Sequence, residues 1–462
     1  YGVWGTWQQN APLKKMNIKA LYNSNLKKII LILLLILSTI IGFPILAKYF
    51  YNNLDLENKF KVKEKITFYY ENKISDKYKI ILRSLGIDPF YKTNLRYRRL
   101  NPNIQNLDND YNVKLLPETE YGNFEIIKHK VNFGINDNFY FKPFYVELHK
   151  DSLFLINFDG KILHSLLKDI NNDKNYKIEK SFVKSNFDGT HILGTLLKKN
   201  ELYISHLKKH EKCTNFHISK GTISIKEIKF ENFFKSNECL DNLQAGRMIN
   251  FSYNNEEGIL LSIGGEHWDN PTLKSQDKNS IVGKTIFINE LGEYEIYSVG
   301  HRTPQGLTLF KDNVISTEHG PAGGDEINKI IFDKNYGWPL ASYGRHYSKV
   351  NKKNKTPYLK DHKSNNFEEP IFTFLKGIGI SQIINIPNNF FKLWDDNFII
   401  ASLNAGSLFR MKFDEKLDKA IYYERIFINQ RIRDLKFSNE LKGIVLALED
   451  RQEIGIFRVL EK

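Results

Sequence analysis

Short apolar runs recur along the chain from about Asn123 onward, and turn residues separate one run from the next. Typical examples are FYVELHKDSLFLINFDGKI, KTIFINELGEYEIYSVG and KGIVLALEDRQEIGIFRVL. Most of them read as a strand, a turn containing Gly or Asn, and a second strand, and no helix of convincing length interrupts the series. Strands of this kind at regular intervals predict a sandwich, a barrel or a propeller. Because about 340 residues are too many for one sandwich, we predict an all-β fold, a six-bladed β-propeller over residues 121–462.

The chain before this region has a different pattern, and its main feature is one long uncharged stretch. Residues 29–47 read IILILLLILSTIIGFPILA, which is long enough to cross a bilayer core of about 30 Å. Lysines lie upstream, so the positive-inside tendency places residues 1–28 in the cytoplasm. We predict an uncleaved, single-pass anchor in the inner (cytoplasmic) membrane, with the propeller on the periplasmic or extracellular side. A cleaved signal peptide is the alternative, since Ala47 fits the end of such a signal.

Residues 48–120 connect the predicted anchor to the predicted propeller. This stretch is rich in lysine, and its periodicity is weak. Only the piece SDKYKIILRSLG, at residues 75–86, combines a candidate N-cap, apolar spacing and a terminal Gly, which together indicate a short helix. We therefore interpret residues 48–120 as a linker or stalk with some local structure.

Composition agrees with a β-rich chain and narrows the choice of partners. Aromatic residues make up 13% of the sequence, and aromatic side chains favour strands. The formal net charge of +14 is compatible with nucleic acid, an anionic membrane or an acidic ligand. The lysines are scattered rather than clustered on one helix, and no nucleic-acid motif accompanies them. We expect a solvated basic surface that partly faces anionic lipid, and no nucleic-acid partner.

The chain has two cysteines, Cys213 and Cys239. They do not form a CxxC motif, and no pair of histidines has zinc-ligand spacing, so a metal centre built on them has little support. In an oxidising compartment they would form one disulfide, and in a reducing compartment they would be ordinary thiols. The sequence leaves both states open.

Three motifs follow one another closely within the predicted propeller. They are YSVGHRTPQGL at residues 297–307, STEHGPAGGDEIN at residues 316–328 and KNYGWPLASYG at residues 334–344. Three motifs in order, with short spacers, are far more specific than one glycine pattern. Here the chain resembles the soluble, PQQ-dependent aldose sugar dehydrogenases, also called the glucose/sorbosone dehydrogenase family. The resemblance extends more weakly over residues 123–460 and does not include the anchor or the linker.

The resemblance implies a six-bladed propeller with a site at one mouth of its central channel. It also implies an oxidation in which an aldose sugar, or a related alcohol, loses hydride to the quinone ring of PQQ. In this family a Gly-Pro pair supplies backbone oxygens to the Ca²⁺ bound at PQQ, so Gly320 and Pro321 are the expected metal-binding residues. Asp325 is expected to hold their loop in shape. A loop that needs Gly and Pro only for its turn is the alternative.

The segment NQRIRDLKFS, at residues 429–438, resembles the family's RxRDV segment. The resemblance implies that Arg431 and Arg433 face the carboxylates of PQQ, and that Gln305 hydrogen-bonds the cofactor or the substrate. Side chains repeat every two residues along a strand, so both arginines are expected on one face. Guanidinium groups suit carboxylates well because they offer a fork of donors. Ordinary surface or ion-paired arginines are the alternative.

The expected proton acceptor is missing from this sequence. The family carries a histidine in an HxxGR segment, and the matching segment here, DNLQAGRMINF, has Leu243 at that position. A general base must lie within hydrogen-bond reach of the proton that it removes, and leucine has no basic atom. No catalytic residue is therefore assigned. His267, just beyond the following strand, is a weak substitute candidate, whereas His301 and His319 belong to family motifs and are expected to serve structure.

Three further positions depart from the family pattern. Thr303 replaces the asparagine of GHRNPQGL, Asn404 stands where the family commonly has a lysine or arginine, and Gly265 stands where aspartate is usual. Two hypotheses follow. The first is a sugar oxidoreductase outside the cytoplasm that depends on PQQ and Ca²⁺, with lost or altered catalysis because of Leu243. The second is a catalytically inactive, membrane-tethered propeller that binds a carbohydrate or protein partner.

Overall fold

The computed structural model describes residues 119, 122–134, 143–173, 175–179, 181–210, 213–240, 245–265, 273–346 and 358–460. The predicted cytoplasmic segment 1–28, the anchor 29–47 and the linker 48–120 apart from Thr119 lie outside the described residues. Leu243 and His267 lie outside them too. Within the described part of the chain, no helix is both long and apolar enough to cross a membrane.

The described chain consists mainly of β-strands. In chain order they are β1 (Phe124–Lys130), β2 (Phe144–His149), β3 (Ser152–Asn157), β4 (Ile162–Leu166), β5 (Phe182–Ser185), β6 (Thr190–Lys198), β7 (Glu201–His210), β8 (Cys213–Thr222), β9 (Glu227–Ile228), β10 (Glu231–Lys235), β11 (Met248–Tyr253), β12 (Glu256–Ile263), β13 (Lys284–Asn289), β14 (Tyr294–Val299), β15 (Pro304–Phe310), β16 (Asn313–Glu318), β17 (Asp325–Ile330), β18 (Phe372–Phe374), β19 (Ile380–Asn385), β20 (Asn397–Ser402), β21 (Ser407–Phe413), β22 (Ala420–Phe427), β23 (Ile432–Ser438), β24 (Gly443–Leu448) and β25 (Glu453–Val459). The helical elements are α1 (Leu167–Asn172) and the 3₁₀ turns Leu273–Gln276, Lys363–Asn365 and Lys392–Trp394.

These strands form six sheets, and each sheet is one blade of a propeller. The strand orders are β2-β3-β4-β5-β9 in blade 1, β6-β7-β8-β10 in blade 2, β11-β12-β13-β14 in blade 3, β15-β16-β17-β18 in blade 4, β19-β20-β21-β22 in blade 5 and β23-β24-β25-β1 in blade 6. The six inner strands, β2, β6, β11, β15, β19 and β23, contact one another in ring order around the channel. The six-bladed β-propeller predicted from the recurring apolar runs is thus confirmed.

The middle strands explain why the apolar runs are nearly continuous. Strands β3, β20 and β24, with the sequences SLFLIN, NFIIAS and GIVLAL, are buried along their whole length. Each blade packs both of its faces against neighbouring blades, so residues on both sides of a middle strand are removed from water. The outer strand β22 instead mixes exposed and buried positions. Continuous and mixed runs in the sequence therefore correspond to the inside and the rim of a blade.

The ring closes through β1, which comes from the N-terminal side of the propeller but completes blade 6. It pairs antiparallel with β25 along its whole length. Phe124 of β1 stacks on Phe457 with ring centroids 5.0 Å apart, and on Trp394 of blade 5 at 4.3 Å. All three rings are at most 1% exposed. Full burial of one such side chain stabilises a fold by about 1.5–3 kcal/mol, so this stack holds the two ends of the ring together.

Arg247, in the segment that leads into β11, lies buried between the inner strands. Its Nη1 donates to Oδ1 of Asp434 in β23 at 2.8 Å, and its Nη2 donates to the carbonyl of Arg433 at 2.8 Å. Its Nε donates to the carbonyl of Gln305 in β15 at 2.8 Å. Oδ2 of Asp434 accepts the backbone N–H of Val146 in β2 at 2.9 Å. One buried ion pair therefore joins the inner strands of blades 1, 3, 4 and 6.

The other two blades are attached by neighbouring polar groups. The ring of Tyr145 lies 4.9 Å from the Arg247 guanidinium, and its hydroxyl donates to the carbonyl of Ile192 in blade 2 at 3.1 Å. Ser381 of blade 5 donates from Oγ to the carbonyl of Ile432 in blade 6 at 2.6 Å. Blade 2 is thus linked to the Arg247–Asp434 ion pair through Tyr145, and blade 5 is linked to it through Ser381 and the strand that carries Asp434.

Cys213 and Cys239 form a disulfide. It joins the start of β8 to the segment that follows β10 in the same blade. Of the two states that the sequence left open, the structure contains the oxidised one.

Blade 2 also contains a buried pair of histidines. His206 and His217 are cross-strand neighbours on β7 and β8, and their rings stack with centroids 5.6 Å apart. His206 is 1% exposed, and its Nε2 hydrogen-bonds Oγ of Ser219 at 2.9 Å. Burial lowers the pKa of His206 to about 4, because the charged imidazolium would be cut off from water.

We expect Asp434→Asn to lower the free energy of unfolding by about 3–5 kcal/mol, because it leaves the Arg247 guanidinium buried without its counter-charge. Urea unfolding followed by far-UV circular dichroism measures the change. Glu257→Gln is the control, since Glu257 forms an exposed pair with Lys199, and it should stay near the wild-type value. A loss in Asp434→Asn no larger than in the control would contradict the central role of this pair.

We also expect the free energy of unfolding to fall as the pH drops from about 6.5 to about 4. In that window the unfolded chain protonates His206 while the folded chain excludes the proton. A difference of about 2.5 pKa units corresponds to about 3 kcal/mol. Urea unfolding at several pH values should show a flatter acid slope in His206→Asn than in wild type. His210→Asn, which changes an exposed residue, should keep the wild-type slope, and equal slopes in all three proteins would refute the assignment.

Candidate active site at the mouth of the channel

The inner strands β11, β15 and β23 begin at the same mouth of the channel. The Arg247 side chain, just before β11, bonds the backbones of Gln305 and Arg433, each the second residue of its strand. Their side chains meet as well, since Arg433 Nη1 donates to Oε1 of Gln305 at 3.5 Å. Two residues predicted from separate motifs, 128 positions apart, are therefore brought together.

Arg431 and Arg433 both pair with one carboxylate, that of Glu449. Nε of Arg431 donates to Oε1 at 2.5 Å, and Nε of Arg433 donates to Oε2 at 2.8 Å. The Glu449 side chain is 0% exposed. Burial opposes its ionisation, but Arg433 and Arg431 together hold the pKa of Glu449 below its usual range. The expectation of two arginines on one face is met, since both guanidinium groups share one carboxylate.

The Gly320–Asp325 loop forms another part of this mouth. Asp325 is 3% exposed. Its Oδ1 accepts the N–H of Gly320 at 3.2 Å, and its Oδ2 accepts the N–H groups of Ile378 and Ile380 at 2.9 and 3.1 Å. Asp325 thus holds the loop in shape, as expected. Gly320 is required by close approach, because a Cβ there would lie 2.2 Å from the carbonyl oxygens of Gly323 and Gly324.

This loop could bind a hard cation only through its backbone oxygens. The Asp325 carboxylate is already used by three N–H groups, and within the described residues no group of three or more His, Cys, Asp or Glu side chains could hold a metal ion. Ca²⁺ accepts backbone carbonyls and completes its coordination with ligand oxygens or water. The loop is therefore compatible with the Ca²⁺ expected at Gly320 and Pro321, whose role stays a prediction.

Arg302 adds a cation to the mouth that the motif analysis did not single out. Its Nη1 donates to the carbonyl of His319 at 2.9 Å, its backbone N–H donates to Oε1 of Glu318, and its guanidinium lies 5.2 Å from the Trp338 ring. Within the described residues its buried Nε has no hydrogen-bond partner. An unused donor on a buried cation suits an anionic ligand. The signal for Arg302 was its place inside the GHRTPQGL motif.

His319 lies between these groups. Burial lowers the pKa of His319, Asp325 opposes this effect, and Arg302 and Arg433 add to it. The charges of Asp325, Arg302 and Arg433 thus all act on the His319 side chain, so these groups lie near one another at the mouth. His319 Nε2 donates to the carbonyl of Ile380, so this nitrogen serves structure, as expected.

His301 serves structure too. It is fully buried and stacks on Tyr336 with centroids 4.5 Å apart. Nδ1 donates to Oε2 of Glu318 at 3.0 Å, and Nε2 bonds Oγ of Ser298 at 2.8 Å. Both ring nitrogens are therefore engaged, and the residue offers no base to the channel.

The positions that depart from the family pattern lie around the same mouth. The carbonyl of Thr303 accepts the N–H of His319 at 3.0 Å, and Gly265 donates to the carbonyl of Arg302 at 2.5 Å. Asn404 donates from its backbone to the carbonyl of Ile378, on the turn that Asp325 holds. Leu243 and His267 lie outside the described residues, so their predicted roles stay predictions.

Comparison with known proteins agrees with this fold and these motifs. Residues 192–458 match the family model for glucose/sorbosone dehydrogenases. The aldose sugar dehydrogenase YliI of Escherichia coli is 30% identical over 221 residues, which are 44% of this chain and 57% of that protein. The chain thus matches little more than half the length of that relative.

Solved structures share the architecture. The apo form of the soluble aldose sugar dehydrogenase of E. coli superposes with a TM-score of 0.58 at 19% identity, over 74% of this chain and 100% of the other. The PQQ-bound aldose sugar dehydrogenase of Streptomyces coelicolor gives a TM-score of 0.53 at 16% identity, over 74% and 99%. At these identities the likeness shows the fold alone. The family model, in contrast, spans more than half of the sequence, and the chain belongs to the glucose/sorbosone dehydrogenase family.

Proposed function

We propose that this protein is a sugar oxidoreductase that takes PQQ and Ca²⁺ at the described mouth and acts on an aldose or a related alcohol. The observation that carries the proposal is the Arg431–Glu449–Arg433 cluster beside Gln305. Two guanidinium groups held in place by a buried carboxylate are a preorganised receptor for carboxylates. A family structure with the same fold, that from S. coelicolor, was determined with PQQ bound.

Each group at the mouth has a distinct task in this proposal. Arg431, Arg433 and Arg302, whose Nε has no hydrogen-bond partner among the described residues, would bind carboxylates of PQQ, and Gln305 would orient the cofactor or the substrate. Carbonyl oxygens of Gly320 and Pro321 would hold Ca²⁺. When bound, PQQ supplies the acceptor for the hydride that leaves the sugar. The described residues therefore provide binding and orientation, which are large parts of catalysis by themselves.

Removal of the hydroxyl proton is the step for which the chain is poorly equipped. Leu243 stands at the position of the family's histidine and has no basic atom. Base catalysis is typically worth 10²–10⁴-fold, so we propose slow turnover, with His267 as a weak substitute acceptor.

The proposed location is outside the cytoplasm, with an anchor at residues 29–47. The Cys213–Cys239 disulfide supports this location, because such bonds persist in oxidising compartments. The second candidate function is an inactive, membrane-tethered propeller that binds a carbohydrate or protein partner. Leu243 and Asn404 favour it, since both remove a chemical group that the family uses.

Titration of the full chain with PQQ in the presence of Ca²⁺, followed by calorimetry, tests the cofactor site. We expect binding to wild type, and a loss of about 10–100-fold in affinity for Arg433→Ala, because hydrogen bonds to charged groups contribute about 1.5–3 kcal/mol. Arg458→Ala is the control, since Arg458 pairs with Glu125 on the outer strands of the same blade, and it should bind as wild type does. Absence of PQQ binding to wild type would rule out the proposed oxidoreductase.

Leu243→His tests the missing base. We expect the rate of PQQ-dependent dye reduction with aldoses to rise by roughly 10²–10⁴-fold, because an imidazole returns to the position of the family's base. Leu243→Gln is the matched control, since its amide is polar but not basic, and it should stay at the wild-type rate. A wild-type rate already equal to that of Leu243→His would show that another residue accepts the proton. Binding of a carbohydrate with no turnover in any variant would favour the inactive propeller.

A further inference from the structure

Lys284, the first residue of β13, has an unusual environment for a lysine. It is 0% exposed, and lysines are almost never fully buried unless they are paired. Its Nζ donates to the carbonyls of Lys274, Ser275 and Val282 at 2.8, 3.0 and 2.7 Å. No carboxylate of the described residues forms an ion pair with it. Among the described residues, the hydrogen-bond partners of this cation are therefore backbone oxygens alone.

Three carbonyls around one cation form the kind of site that a loop usually offers to a metal ion. Here the three N–H donors of an ammonium group match three acceptors. Burial lowers the pKa of Lys284 to about 8, against the opposing effect of Asp277 and Glu238, so the amine is still charged at pH 7. Its ammonium thus occupies the position that a bound metal ion would take among the carbonyls of residues 273–283, named here the β12–β13 loop.

A second charged group holds the same loop from blade 2. Glu238, next to the Cys239 disulfide, accepts the hydroxyl of Ser280 at 2.8 Å and the N–H of Ile281 at 3.1 Å. It also pairs with Lys274 at 3.4 Å. The loop is therefore fixed between a carboxylate on one side and the Lys284 ammonium on the other.

The β12–β13 loop in turn supports the mouth. The carbonyl of Ser275, one of the three ligands of Lys284, also accepts the N–H of Gly300 at 2.8 Å. The carbonyl of Gly283 accepts the N–H of His301 at 3.0 Å. These bonds fix the backbone that immediately precedes Arg302, whose guanidinium lies at the mouth.

We propose that Lys284 is a positioning residue: its ammonium organises the β12–β13 loop, and the loop holds the Gly300–Arg302 segment ready for an anionic ligand. The effect on ligand binding rests on the proposed PQQ function. The effect on loop order does not, because it depends only on bonds within the protein.

Hydrogen exchange of the full chain, read by mass spectrometry, tests the loop order. In Lys284→Met and Lys284→Ala, amides in residues 274–283 and 300–301 should exchange at least about 10-fold faster, while strands β3 and β24 keep their protection. Propylammonium, the part of the side chain that alanine lacks, should restore protection in Lys284→Ala but not in Lys284→Met, whose side chain fills the space. Lys278→Ala is the control, since Lys278 lies on the same loop in an exposed pair with Asp333.

Exchange at wild-type rates in these two segments would overturn the proposal, and so would an increase spread equally over all blades. Calorimetry with PQQ adds a separate readout. Where wild type binds PQQ, Lys284→Met should bind on the order of 10-fold more weakly, as losses of supporting groups typically do. If neither protein binds PQQ, the proposed function fails, and the exchange rates still decide the role of Lys284.

A measurement on wild type covers the case in which both variants misfold. Acetic anhydride labels accessible, uncharged amines. The lowered pKa of Lys284 leaves more of its amine uncharged than that of an ordinary lysine, so its expected acetylation, at least about 10-fold slower than that of Lys278, reports the burial and bonding of the amine. Equal labelling of the two lysines would overturn the proposal.

Discussion

Arg247 and Asp434 form an ion pair where the inner strands converge, and both side chains are almost completely removed from water. Burial of two charges is costly unless the remaining donors and acceptors are also satisfied. Here Nε, Nη1 and Nη2 of the arginine and both oxygens of the aspartate have partners on four blades. The blades can therefore pack around the channel only in an arrangement that preserves these bonds. Two of the acceptors are the backbone carbonyls of Gln305 and Arg433. The ion pair that holds the ring together therefore also fixes the positions of these two residues at the mouth.

The cations of the mouth are held in place by neighbouring groups. Arg431 and Arg433 are held by Glu449, and Arg302 is held by a carbonyl and an aromatic ring. Cations fixed in advance in a poorly solvated site bind an anion without first losing side-chain freedom. A carboxylate such as Glu449 reduces the net charge, but it fixes the direction of the remaining donors. This arrangement favours the binding of a ligand with several acidic groups in one orientation.

Binding and proton removal are separable properties of such a site. The groups that would hold the cofactor come from strands and loops of blades 4 and 6, whereas the position of the family's base belongs to the segment before β11. In the proposed function, leucine at position 243 would change only the second property. A propeller scaffold allows this because different blades contribute different residues of the mouth, while the ring as a whole keeps its shape.

The sequence by itself indicated the propeller, because short apolar runs separated by turn residues are local properties of the chain, and about 340 residues of them are too many for one sandwich. It also indicated Gln305, Arg433 and Gly320, since each lies in a recognisable motif. Only the tertiary structure decided that Glu449 joins the two arginines, that Cys213 and Cys239 are bonded, and that Lys284 is surrounded by carbonyls. The Arg247–Asp434 partners are 187 positions apart. Local patterns state which residues are buried, but which buried groups meet depends on how the blades pack, because the contacts join distant parts of the chain.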